Sequence, residues 1–216
     1  SKETIIDLCK KRIENLIDMN VKMIVIACGT ATSQALDEMK KIFNIPIIGI
    51  IEPTLKYLKQ KNIKNVGVIA TTGTIRSNGW QTGIEKYITE AKVQNKACPM
   101  LAPMAEEGWT ENEIAKLAIH EYLKDMKNLD ALILGCTHYP LFKNLIEDEL
   151  GSNTEIINTG EMVAKEVKQY ITDNNFGNEL NIEPNTKIYL TDLECNFINV
   201  AKKLMNDENI ELNKIN

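Results

Sequence analysis

The chain is poor in the residues that would build a metal centre. Two histidines in 216 residues, with no C-x-x-C pair anywhere, leave a zinc site few ligands to draw on. The cysteines number five, at positions 9, 28, 98, 136 and 195. They are odd in number and far apart, so no disulfide framework suggests itself. No apolar run approaches the roughly 18 residues that a membrane span requires. No cluster of lysine and arginine stands out, and the net charge is -5, which argues against a nucleic-acid partner. The opening stretch, SKETIIDLCKKRIENL, is a charged amphipathic helix rather than a secretory signal. Together these absences point to reduced thiols in a cytoplasm.

What is present is an ordinary globular composition, 44% hydrophobic and 25% charged, in a chain long enough for one large domain or two small ones. Short β-branched runs at 23–27, 47–51, 66–70, 131–135, 154–158 and 187–191 read as strands covered on both faces. Helical patterns lie between them, including TSQALDEMKKIF and TENEIAKLAIHEYLKDM; in the latter, Thr110 and Glu113 make a capping box. This alternation predicts an α/β protein with parallel sheets flanked by helices. Turn signals after the strands near 51 and 158 suggest a discontinuous layout, with 1–51 plus 159–216 as one part and 52–158 as the other. A polar stretch at 173–186 precedes one last strand and helix.

One internal similarity bears on function. MIVIACGTA (23–31) and ALILGCTHY (131–139) align strand on strand and cysteine on cysteine, with a threonine close behind each thiol. Cys28 and Cys136 therefore both fall at the C-terminal ends of parallel strands, the edge where open α/β sheets bind ligands. The start of a helix there favours a thiolate. A thiol on either side of a bound molecule can take a proton from one face and return one to the other, which inverts a carbon centre. His138 can hold a proton or poise the neighbouring thiol, and Thr30 and Thr137 suit a carboxylate. The remaining cysteines, Cys9, Cys98 and Cys195, read as packing residues. His120 reads as solvated, opposite Ile114 and Ala118. The turn TTGT lacks the lysine of a phosphate-binding loop. Trp80 and Trp109 fit either a cleft lining or gap filling.

At these residues the chain resembles the glutamate racemases, within the amino-acid racemases that work without pyridoxal phosphate. IVIACGTATSQALDE and LILGCTHYPL carry the resemblance, and IPIIGIIEP, VGVIATTGTIRSNGW, ACPMLAPMAEEG and INTGEMVAKEV keep the family's order between and after them. The resemblance implies two similar α/β domains with the site in the cleft between them and no cofactor. It also implies interconversion of L- and D-glutamate for peptidoglycan synthesis. Cys28 and Cys136 become the acid/base thiols, assisted by His138 and Glu106. Gly29, Thr30, Thr137 and His138 fall at substrate-binding positions, with Thr71 and Thr74 near the pocket. The partner implied is a small amino acid, with neither nucleic acid nor membrane, and a homodimer stays open. Glutamate racemases usually carry Asn where this chain has Gly29, which keeps an aspartate or hydantoin racemase, or a related decarboxylase, as alternatives. The family's early Asp-Ser strand and Tyr-Gly pair are not in this sequence, so an N-terminally incomplete enzyme, weakly active alone, is expected. A non-catalytic binding relative is the remaining alternative.

Overall fold

The computed structural model describes residues 1–177, 186–192 and 212–215. Its first part is helix α1 (Lys2–Asp18), strand β1 (Ile24–Ile26), helix α2 (Gly29–Ile42) and strand β2 (Ile47–Gly49). The hydroxyl of Ser1 caps α1 by accepting from the Thr4 N–H. β1 and β2 pair in parallel, Ile24 opposite Ile47. The apolar sides of α1 and α2 close over them around Ile13, Ala35 and Met39.

The larger sheet is built by β3 (Asn65–Ala70), β4 (Lys92–Ala97), β5 (Ala131–Leu134) and β6 (Glu155–Asn158). It is wholly parallel, in the order β4-β3-β5-β6. Burial on both faces explains its apolar strands. Leu132 and Leu134 point to one face, into a core with Ile119, Leu123, Phe142 and Ile146. Ala131 and Ile133 point to the other, into a core with Leu58, Trp80, Ile84 and Ile157. Helices α6 (Leu101–Glu106), α7 (Glu113–Leu123) and α8 (Lys143–Leu150) cover the first face. Helices α3 (Ile51–Gln60), α5 (Gly79–Tyr87) and α9 (Thr159–Asp173) cover the second, and the short α4 (Thr72–Arg76) leads from β3 into α5. A further parallel pair joins β7 (Ile188–Leu190) to β8 (Leu212–Lys214).

Every strand expected from the sequence is there, several of them shorter by a residue or two; β2 stops at Gly49 because Ile51 already begins α3. One strand of the large sheet escaped the pattern. β4, with the sequence KVQNKA, has no fully buried residue. It lies on the sheet's edge, where polar side chains meet water and no apolar run is needed. The capping box is corrected as well. Asn112, not Thr110, caps α7, accepting from the Ala115 N–H at 2.9 Å. The later cap starts the helix two residues further along and leaves Thr110 buried. The inward face of α7 is Ala115, Ile119 and Leu123, while Ile114 points outward. The last expected helix, with Cys195, lies outside the described residues. No helix among the described residues is long and apolar enough to cross a membrane.

The chain enters the large sheet in its interior, at β3, goes out to β4, and returns on the far side of β3 to form β5. The connections after β3 and β5 therefore leave in opposite directions, and a crevice opens between them at the strands' C-terminal ends. Tyr139 holds the loop after β5 in place: it is fully buried and its hydroxyl donates to the Cys98 carbonyl at 2.7 Å. Tyr139→Phe should lower the unfolding free energy by about 1 kcal/mol in urea titrations. An unchanged midpoint would show that this bond does not anchor the loop.

Candidate active site

β5 ends at Leu134, and Gly135 extends its ladder by one bond, donating to the Ile69 carbonyl at 2.8 Å. The chain then turns, so Cys136 stands at the strand tip, 9% exposed. Its Sγ lies 3.7 Å from His138 Nδ1. On the other side of the same imidazole, Nε2 lies 3.1 Å from Oε1 of Glu106, the last residue of α6. A carboxylate only accepts, so in the neutral ring the proton sits on Nε2 and the Nδ1 lone pair faces the sulfur. The three groups form a line along which a thiol proton can be received and its charge balanced. Burial pushes the Cys136 thiol above the ordinary cysteine range; the His138 backbone N–H pulls it back, the Cys28 thiol raises it further, and the Thr137 hydroxyl opposes that rise.

Cys28 occupies the cap position at the start of α2 and is exposed. Thr32 locks that start to the small sheet. Its hydroxyl donates to the Ile26 carbonyl at 2.8 Å and accepts from the Ile50 N–H at 3.4 Å. The next residue along from Cys28, Gly29, is buried against the strand tip that carries the other thiol: a Cβ on it would stand 2.4 Å from the Gly135 carbonyl oxygen. Beside this contact three hydroxyls meet. Thr30 Oγ1 is 2.7 Å from Thr74 Oγ1 and 3.3 Å from Thr71 Oγ1, and the last two are 3.0 Å apart. Hydroxyl protons rotate freely, so this cluster can turn its donors toward a carboxylate. TTGT is thus a hydroxyl-bearing turn, with Thr71 capping α4.

The sequence candidates therefore fall into two adjoining groups. Cys28, Gly29, Thr30, Thr71 and Thr74 surround the first strand tip, and Cys136, Thr137, His138 and Glu106 the second. Thr137 is exposed, beside the thiol it influences. His120 is exposed as expected, and its Nδ1 lies 3.0 Å from Glu149 Oε1. Cys98 is fully buried, which pushes its thiol up to about 12, and Cys9 is half-buried. Trp80 is a packing residue, 1% exposed against Gly135, whereas Trp109 is 46% exposed. Sequence reasoning missed Gly135 and Tyr139. Both flank the thiol inside the very motif that was singled out, but strand pattern alone gives no reason to separate them from it.

An α/β fold with two thiols at adjoining strand tips, a hydroxyl cluster beside one and an imidazole–carboxylate pair behind the other has the groups that proton transfer on a small carboxylic acid requires. Comparison with known proteins gives the class. The sequence profile of the Asp/Glu/Hydantoin racemase family matches residues 2–167, and this chain belongs to that family. The chain is 38% identical over 210 residues to the glutamate racemase of Aquifex aeolicus (strain VF5), spanning 96% of this chain and 79% of that one. It is 39% identical over 204 residues to the glutamate racemase of Sulfurihydrogenibium sp., spanning 91% and 75%. Among solved structures, the glutamate racemase of Francisella tularensis subsp. tularensis SCHU S4, in complex with D-glutamate, superposes with a TM-score of 0.92. The identity is 32%, and the match covers 100% of this chain and 81% of that one.

The burial of Cys136 has a measurable consequence. In a Cys28→Ser background, alkylation of Cys136 by iodoacetamide should keep rising about tenfold per pH unit beyond pH ~8.5, where a free cysteine begins to level off. A plateau at or below that pH, located on the Cys136 peptide by mass spectrometry, would contradict it.

Proposed function

We propose that this protein is a cofactor-independent racemase that interconverts L- and D-glutamate by proton transfer at Cα, with Cys28 and Cys136 on opposite faces of the substrate. The observation that carries this reading is the meeting of the two thiol-bearing strand tips through Gly29 and Gly135, close enough for the charge of Cys28 to bear on Cys136. In one direction the thiolate on one side takes the α-proton, and the bonding pair stays on the substrate as a carbanion conjugated with its carboxyl group. The thiol on the other side then delivers its own proton to the opposite face and is left as a thiolate. Each turnover thus exchanges the two protonation states, and the reverse reaction restores them.

The Thr30, Thr71 and Thr74 hydroxyls bind the substrate carboxylate, and Thr137 donates near the second thiol. His138, backed by Glu106, accepts and returns the Cys136 proton, so that thiol reaches its reactive form in spite of burial. All four described cysteines are unpaired, in keeping with a reducing cytoplasm, where the D-glutamate formed would feed peptidoglycan synthesis. The absence of a side chain at Gly29 favours one second reading, a racemase of the same class acting on aspartate or a hydantoin; activity across a panel of enantiomers separates the two.

The decisive experiment uses Cys136→Ser in the intact protein. Racemisation should fall by about 10²- to 10⁴-fold, while exchange of the α-hydrogen with deuterated water persists for one enantiomer only. Full racemisation by this variant would remove Cys136 from the mechanism. A second outcome concerns the imidazole: His138→Gln should lower kcat about 10- to 100-fold and shift the alkaline limb of its pH profile. An unchanged profile would leave His138 with no part in the proton transfer.

A further inference from the structure

Behind the three threonines of the site lies a second row of hydroxyls that the proton transfer does not use. On α2, Ser33 follows Thr30 by three residues; at the end of α4, Ser77 follows Thr74 by three. Residues at that spacing are neighbours on one helix face. The threonines and serines therefore meet as two matched pairs across the seam between the small unit and the large one. Thr30 Oγ1 lies 2.7 Å from Thr74 Oγ1, and one turn further on Ser77 Oγ donates to Ser33 Oγ at 2.9 Å. Each serine also reaches the carbonyl of its own threonine. Ser33 Oγ donates to the Thr30 carbonyl at 3.1 Å, and Ser77 Oγ lies 2.6 Å from the Thr74 carbonyl oxygen. A serine that only bonds back to its own helix has a local role. The bond from one serine to the other instead spans 44 residues of sequence and joins the two units.

We infer that Ser33 and Ser77 are positioning residues: their bond across the seam holds α2 in the direction that keeps Cys28 opposed to Cys136. The inference rests on the racemase reading for its kinetic consequence but not for its geometry. One hydroxyl contact fixes a point and leaves α2 free to turn about it in the plane of the seam. Two contacts about 4.5 Å apart along the helix axis also fix its direction. Cys28 heads α2, on the far side of Thr30 from Ser33 and about 3 Å along the axis from that pivot. A slip of about 1 Å at Ser33 thus carries the backbone of Cys28 about 0.7 Å the opposite way. Thr30 stays at the pivot, so the hydroxyl grip on a carboxylate persists while the thiol is misaligned. The effect falls on kcat rather than KM, since misplacing a reacting group by about 1 Å costs about 10²-fold in rate.

The test is a double-mutant cycle in the intact protein: Ser33→Ala, Ser77→Ala and the two together. Each single variant should lower kcat about tenfold while KM for glutamate changes by less than about threefold. The double variant should stay within about twofold of either single, because the same bond is lost in all three. Amide hydrogen exchange, which needs no turnover, supplies the second readout: residues 29–33 and 74–77 should exchange about tenfold faster in every variant than in the parent. Single variants that keep the parent's kcat would overturn the inference. So would losses that multiply in the double variant, the mark of two serines that each serve their own helix. Should the double variant fail to fold by circular dichroism, the singles decide: equal losses support a shared bond, and a loss confined to one serine refutes it. A parent that does not racemise glutamate would refute the proposed function. The exchange rates then judge the seam alone, faster exchange in the variants supporting it and unchanged exchange refuting it.

Discussion

The site depends on a feature of strand order. β3 gives one edge to β4 and the other to β5, so the segments leaving its C-terminal end and that of β5 must part, and the space between them cannot be filled by a continuous connection. Into that space the β3 connection places the Thr71 and Thr74 hydroxyls and the β5 connection places Cys136. The small two-stranded unit then brings Cys28 and Thr30 over the same opening. Nothing at the level of a single helix or strand would assemble these groups.

Burial gives Cys136 its second property. A thiol withdrawn from water resists ionisation, and desolvation is the largest influence on it here. A buried thiol with no compensation would be inert, as Cys98 illustrates: it is shut into the core, its sulfur 3.7 Å from the Lys96 carbonyl. Cys136 differs in its surroundings, with the His138 N–H, the Thr137 hydroxyl and the His138–Glu106 pair within reach. The same element type, buried near a strand end, thus yields one structural thiol and one suited to exchanging a proton. The loop that follows Cys136 is tied to the first of these positions by the Tyr139 hydroxyl, which donates to the Cys98 carbonyl.

Much of this was legible in the residues. Continuous apolar runs such as VGVIA and ALILG can only be strands covered on both faces, and the repeated strand–cysteine–threonine unit marked both thiols and the edge on which they sit. β4 was not legible, because an edge strand whose side chains meet water carries no apolar signal. The start of α7 was misread by two residues, because Thr110 and Asn112 are both good caps and only packing decides between them. Tyr139 carried no signal of its structural part, since a hydroxyl that holds a loop to the Cys98 carbonyl depends on a contact 41 residues away.

The elements, their parallel arrangement and the side chains able to do acid–base work could all be read from the residues, since those follow from local pattern and residue chemistry. It took the packed fold to make Gly29 meet Gly135, to gather three threonines from two segments into one cluster, and to stand Glu106 behind His138. These are contacts between segments 32 to 106 residues apart, and no local periodicity encodes a distance between atoms that the chain brings together only when the sheets have packed.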